Sequence, residues 1–304
     1  MALVYWTSDG GGSGVGDISS VLVRWIRTNG NPALIVNGGD IYDRGKPTEF
    51  DEFLNQMDGD VSMICETSGN HDWKTRERSV ATGEIPIGYE RFWARFPPPL
   101  SRQPIDATRK GGARYEHYID LNGWRLIFLD TGPLEFGPWP LGDQSRVDWL
   151  RTALTSAPGR AKIVLAHHSR LSRGRHGDND ELDELWRTLF DPVTGAPLAA
   201  FTLAGHDHSV SLYGPRPKDN PASGTVPFER GIHVFVNGAG GSGHYTGWRG
   251  TQPDLHFDDD NYCVTRINLI DARTADVDVL NFGAVPRPTT QPTVLPNSTL
   301  RFRF

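Results

Sequence analysis

Five short polar motifs, each closing an apolar, strand-like run, constrain this chain more than any other feature. Asp9 follows Leu3-Val4-Tyr5-Trp6, and Asp40 follows Leu34-Ile35-Val36 at the head of Asp40-Ile41-Tyr42-Asp43-Arg44-Gly45. Asn70-His71-Asp72 comes shortly after the run ending at Cys65. His167-His168 closes Ile163-Val164-Leu165-Ala166, and His206-Asp207-His208 closes Phe201-Thr202-Leu203-Ala204-Gly205. Carboxylates, an amide and imidazoles are the ligand types that hold divalent first-row metals. Loops at the carboxyl ends of strands in open α/β sheets converge on one crevice, so all five can share a site. Their combination points to a two-metal centre.

Asp40 can place one carboxylate oxygen on each of two metals, with Gly38 and Gly39 allowing close backbone approach. An Asx-turn at a strand end is the plainer reading of that residue alone. Asn70 offers a neutral ligand oxygen, and His71 beside it could steady charge or act as a general acid. His206 and His208 lie two apart, so both imidazoles can point into one site and bind different metals. In His167-His168, strand alternation predicts that one ring faces the metals while the other packs or hydrogen-bonds. The glycine-rich stretch after Asp9 fits neither the dinucleotide nor the Walker spacing, which favours Asp9 as a ligand over a phosphate loop. Arg170, Arg173, Arg175 and His176 follow the paired histidines closely. They either recognise a phosphoryl group or pair with Asp178, Asp180 or Glu181.

The 304 residues fit one large domain, and 37% hydrophobic with 22% charged residues fit a globular protein. A net charge of −6 gives no nucleic-acid footprint. The apolar runs fall well short of the roughly 20 residues of a membrane span. The opening residues enter a strand directly, so a cytoplasmic location is expected, or a secreted or periplasmic one if a leader has been removed. Cys65 and Cys263 sit in apolar runs and read as free buried thiols. Ile18, Val21, Leu22, Trp25 and Ile26 predict a helix capped by Asp17 and stopped at Gly30. Phe50, Phe53, Leu54 and Met57 predict another, and Gln144–Leu154 and Asp180–Phe190 two more. The expected organisation is one domain over 1–283, with 73–114 inserted over the site and 284–304 as an extended tail. Within the domain, mixed β-sheets are flanked by helices.

These motifs together resemble the calcineurin-like metallophosphoesterase superfamily, and within it the bacterial proteins similar to purple acid phosphatases. The matching blocks are Gly39-Asp40, Gly69-Asn70-His71-Asp72, Val164-Leu165-Ala166-His167 and Gly205-His206-Asp207-His208. Phe128-Leu129-Asp130-Thr131 and Asn237-Gly238-Ala239-Gly240-Gly241 are softer similarities. The resemblance implies an α/β (α+β) fold, a four-layer αββα sandwich of two mixed sheets. It implies two divalent ions, Mn, Zn, Fe or Mg. One would be held by Asp9, Asp40 and His208, the other by Asp40, Asn70, His167 and His206, with His168 as an additional candidate. It also implies hydrolysis of a small phosphate ester, a monoester in the first instance, with a diesterase or a degenerate binding scaffold as alternatives. His71, Asp72 and Arg170 are the expected catalytic residues, and Arg173, Arg175 and His176 the expected substrate contacts. The family usually opens with Asp-x-His, but Gly11 stands at that histidine's place. The purple acid phosphatase tyrosine falls at Asp43, one residue after Tyr42, so either side chain is a candidate to complete the shell.

Overall fold

Alternation of side chains along β1 (Ala2–Thr7) sets the layering: Val4 and Trp6 enter one core, while Tyr5 enters another on the opposite face. The computed structural model describes residues 1–10, 16–41, 64–73, 116–132, 144–245, 247–284 and 291–304, and residues 49, 51, 53 and 55 of one helical stretch. Its further strands are β2 (Leu34–Asn37), β3 (Ile64–Glu66), β4 (His117–Leu121), β5 (Trp124–Leu129), β6 (Ala161–Ala166) and β7 (Phe201–Ala204). After these come β8 (Val210–Arg216), β9 (Ile232–Asn237), β10 (His256–Asp258), β11 (Cys263–Leu269), β12 (Thr274–Asn281), β13 (Thr293–Val294) and β14 (Leu300–Arg303).

They form two mixed sheets. The first runs β13-β12-β11-β1-β2-β3, with β14 also on β12, and the second runs β10-β8-β9-β7-β6-β5-β4. In the first, β1, β2 and β3 are parallel neighbours. In the second, β5, β6, β7 and β9 are parallel neighbours. Parallel strands covered on both faces read as unbroken apolar runs, as Ile163–Ala166 does.

Between the sheets, Val4 and Trp6 meet Phe128, Leu165, Leu203 and Ile267. Outside the first sheet, α1 (Gly16–Trp25) packs Leu22 and Val23 on Tyr5 and Ile35. Outside the second, α2 (Gln144–Thr155) and α3 (Asp183–Thr188) pack Leu150, Leu154, Leu185 and Trp186 on Ile127 and Val164. The result is the expected four-layer αββα sandwich. Leu165 is fully buried in the central layer, and truncating it to Ala costs about 2–5 kcal/mol.

α1 begins at Gly16 and passes into a π-helical turn, Ile26–Gly30, ended by left-handed Asn31. The expected stop at Gly30 therefore holds. The helix expected around Phe50 is described only at residues 49, 51, 53 and 55, with Phe53 buried. The insertion expected over 73–114 lies outside the described residues except for Trp73. The extended tail needs correction, because β13 and β14 pair with β12. Phe302 drives that pairing: it is 1% exposed, with its ring 4.8 Å from that of Phe201 in the central core. Cys263 is a free buried thiol as expected. Among the described residues, no helix is long and apolar enough to cross a membrane.

Candidate metal centre

The parallel strands of both sheets deliver the sequence motifs to one crevice. Asp9, Asp40 and Asn70 lie beyond β1, β2 and β3, while His167 and His206 lie beyond β6 and β7. Backbone bonds hold the strand ends in register: Gly38 N donates to Thr7 O at 2.8 Å and Asp9 N to Gly39 O at 3.0 Å. Bonds between the sheets then close the crevice. His206 N donates to Asp9 Oδ2 at 3.0 Å, and Trp6 Nε1 donates to Asn237 O at 2.9 Å.

Backbone strain concentrates on the same residues. Asp9, Asp40 and His206 have φ of 58, 57 and 68°, in the left-handed region. Every other described non-glycine residue with positive φ is an asparagine, the residue that adopts this region most readily after glycine. Left-handed backbone outside Gly and Asn costs energy and clusters at functional sites. Packing is equally tight: a Cβ on Gly69 would lie 2.0 Å from Asp40 Oδ1, and one on Gly205 1.9 Å from Ser8 Oγ.

Second partners orient the side chains. His167 Nδ1 lies 2.8 Å from Gly38 O, and His208 Nδ1 lies 2.7 Å from Gly243 O. A carbonyl only accepts, so both rings carry their proton on Nδ1 and turn Nε2 inward. His167 Nε2 sits 3.1 Å from Asn70 Oδ1, 3.4 Å from Asp40 Oδ2 and 4.0 Å from Asp9 Oδ1. His208 Nε2 sits 3.8 Å from Asp9 Oδ1. Donors each about 2.0–2.2 Å from a shared metal stand at roughly these separations from one another. Asp9 Oδ1 is buried and has no hydrogen-bond partner, which is costly for a carboxylate oxygen unless a cation completes it. The residues present therefore fit a metal.

Charge is balanced among three groups. Burial pushes Asp9 up to about 8 against the pull of His167, with Asp40 adding to the rise. Burial opposes ionisation of Asp40 too, but His167 and His71 hold it well below the usual carboxylate range. His167 is raised to about 10 despite burial, because Asp40 and Asp9 favour its imidazolium. One carboxylate and one imidazolium thus share a buried site in which two carboxylates would repel.

The ligand atoms cluster in two groups that share His167: Asp9, Asp40, His167 and His167, His168, His206. His168 thus brings a ring nitrogen near the second group while its other nitrogen meets Thr131, the hydrogen-bonding role expected of one ring of the pair. β6 ends at Ala166, so the strand rule no longer governs the next two residues. His168 Nδ1 lies 3.2 Å from Thr131 Oγ1, and its ring lies 4.3 Å from that of His206.

Asp72 turns inward to support the backbone: its Oδ2 accepts from Asp40 N at 2.9 Å and Gly69 N at 2.8 Å. That makes it a positioning residue, whereas the sequence placed it among the catalytic ones. His71 N donates to Asp40 Oδ1 at 2.8 Å, and its part-exposed ring brings Nε2 to 4.0 Å from Asp40 Oδ2.

The arginines do not gather on the cluster of ligand atoms. Arg170, expected to be catalytic, instead binds Asp183 Oδ1 through Nε at 2.6 Å and Asp180 Oδ1 through Nη2 at 2.7 Å. Arg173 Nη1 donates to Gly250 O at 3.1 Å. Arg175 stands 5.2 Å over the Tyr245 ring. His176 does reach the site, with its ring 4.0 Å from that of His206. Asp207 holds this loop in place by accepting from Ser172 Oγ and, at 2.9 Å, from His176 N. Gly11, Tyr42 and Asp43 lie outside the described residues.

Tyr245 escaped the sequence reading. Its ring stacks on His208 at 4.0 Å and 14°, and burial, then Asp9 and Asp40, push its phenol upward. The available signal was its place just after the glycine run that follows β9. That strand lies parallel beside β7, so its exit loop opens on the same crevice.

The profile of the calcineurin-like phosphoesterases matches residues 13–210, from just after Asp9 to just beyond His208. The 3′,5′-cyclic adenosine monophosphate phosphodiesterase of Pseudomonas aeruginosa is 24% identical over 195 residues, covering 63% of this chain and 60% of that protein. Purple acid phosphatase 17 of Arabidopsis thaliana is 26% identical over 192 residues, covering 55% of this chain and 50% of its own. The chain thus matches only half to three-fifths of the length of these relatives. In fold it is similar to a purple acid phosphatase from yellow lupin (Lupinus luteus) seeds, with a TM-score of 0.62 at 15% identity. That likeness covers 99% of this chain and 53% of the lupin protein. Two sheets whose strand ends converge on these carboxylates, amide and imidazoles, under a profile covering most of the chain, make it a member of the calcineurin-like phosphoesterase family.

Proposed function

We propose that this chain is a binuclear metal-dependent phosphoesterase acting chiefly on phosphate monoesters. The observation that carries this reading is Asp9 Oδ1, buried without a partner between the inward nitrogens of His167 and His208. One ion would be held by Asp9, Asp40 and His208, and the other by Asp40, Asn70, His167 and His206. Bound there, two divalent ions would supply Lewis acidity toward a phosphoryl oxygen and acidify a water at neutral pH.

The chain's own groups do the rest. Asn70 adds a donor oxygen without adding negative charge against an anionic substrate. His71, part-exposed beside Asp40, is placed to protonate the departing alkoxide or steady its charge. Asp72 keeps the Asp40 and Gly69 backbone fixed, so the carboxylate meets its partners without reorganising. His176 and Arg175 stand at the open rim, where an anionic phosphoryl group would arrive.

The similarity to a purple acid phosphatase supports the monoester preference. The similarity to a cyclic nucleotide phosphodiesterase favours a diesterase as the second reading. Turnover of matched mono- and diesters by metal-loaded protein separates them: the monoester should be cleaved faster. Faster cleavage of the diester would replace the first reading with the second.

A further inference from the structure

Beside His206, the loop following β6 encloses a cavity of about 250 Å³. His168, Ser169, His176, Asn179, Glu181 and His206 line it. Among the described residues the lining offers no apolar side chain, no Phe, Tyr or Trp ring, and no arginine or lysine. Of the nearby arginines, Arg170 pairs with Asp180 and Asp183, Arg173 donates to Gly250 O, and exposed Arg175 stands over the Tyr245 face outside the lining.

The wall is polar and held firmly. Asp178 Oδ1 accepts from Ser172 N and Thr251 N, each at 3.1 Å, which knits the loop to the 251 segment. Asp207 anchors the loop from below through Ser172 and His176 N. His168 is 4% exposed, and its Nε2 is buried without a hydrogen-bond partner. Thr131 Oγ1 accepts from the His167 and His168 N–H groups and so donates to His168 Nδ1, leaving Nε2–H as a buried donor that the oxygen of a hydroxyl entering the cavity would satisfy.

We propose that this cavity receives the alcohol portion of the ester and selects small, donor-rich alcohols: polyols and amino alcohols. The inference rests on the phosphoesterase reading above. An apolar alcohol would desolvate the imidazoles, Asn179 and the carboxylates without repaying their hydrogen bonds. A nucleoside would find no Phe, Tyr or Trp face to stack its base on. A leaving group carrying a second phosphate would meet Asp178 and Glu181 with no arginine or lysine to offset them. Glu181, at the exposed rim, is the acceptor suited to an ammonium or a terminal hydroxyl.

The test is kcat/KM of the full chain, loaded with Mn²⁺, on glycerol 3-phosphate, phosphoethanolamine, propyl phosphate and adenosine 5′-monophosphate. The first two should exceed propyl phosphate by about tenfold, the worth of one well-made hydrogen bond, and the nucleotide should not. Glu181→Gln should shrink the phosphoethanolamine-to-propyl ratio more than the glycerol-to-propyl ratio, because it removes charge but keeps an acceptor. Equal rates on all four esters, a preference for the nucleotide, or unchanged ratios in the variant would overturn the cavity assignment while leaving the phosphoesterase reading intact. No hydrolysis of any ester by protein holding two ions would overturn both.

Discussion

The backbone N–H of Asp40 donates to Asp72 Oδ2 at 2.9 Å, so one carboxylate fixes the chain that presents another. Asp72 also accepts from Gly69 N and is only 3% exposed. Asp72→Ala would leave two buried donors unpaired, which costs roughly 2–4 kcal/mol of stability. Chemical denaturation of metal-free protein should show that loss, and Asp72→Asn, which keeps one acceptor oxygen, should lose less. Equal stability of both variants and the parent would mean these bonds do not hold the Asp40 loop.

His71→Ala should separate catalysis from metal binding. The rate should fall by a factor on the order of 10²–10⁴, the usual contribution of a positioned acid or base, while bound metal stays nearly unchanged. Metal content measured beside turnover checks this, and joint loss of both would make His71 a ligand.

The paired histidines should also part. His167→Ala removes the Nε2 shared with Asn70 and Asp40 and should abolish tight metal binding. His168→Ala should retain the metals, because that ring is held at Thr131 and lines the neighbouring cavity. Retention of both ions by His167→Ala would invert the assignment.

Metal uptake should release protons. In metal-free protein His167 keeps its proton up to about pH 10, drawn by Asp40 and Asp9 against the effect of burial. A metal-binding imidazole must be neutral, so apparent affinity should climb about tenfold per pH unit and level off near pH 10. Asp9, raised to about 8, adds a second proton below that pH. The same raised His167 stabilises the metal-free fold fully below its ordinary value of 6.5, and that contribution fades as pH rises through about 10. Calorimetric titration in buffers of different ionisation enthalpy would count the protons, and an affinity flat from pH 6 to 9 would contradict the scheme.

The sandwich was legible in the sequence, and so was the gathering of strand-end motifs at one crevice, because apolar strand runs and the motifs that close them are local signals. It failed where tertiary contacts decide. Whether Arg170 meets a phosphate or Asp180 and Asp183 depends on where α3 docks, which sequence spacing cannot specify. The pairing of β14 follows from Phe302 entering a core assembled from distant strands. Tyr245 joins the site only because β9 lies beside β7, a neighbour relation that no motif encodes. The readings at Gly11, Tyr42 and Asp43 fall outside the described residues. If Gly11 leaves one ligand place empty, mild chelation should remove one ion before the other, and equal affinities would show that another group fills it.

Metal stoichiometry and phosphatase turnover of the parent and of folded Asp40→Ala, measured side by side, test the binuclear centre most directly. Asp40 Oδ2 lies 3.4 Å from His167 Nε2 and 4.0 Å from His71 Nε2, and its carboxylate shares one cluster of ligand atoms with Asp9 and His167. The parent should hold two ions per chain and cleave a phosphate monoester, and Asp40→Ala should lose both properties. A variant that kept two ions and near-parent turnover would contradict the account.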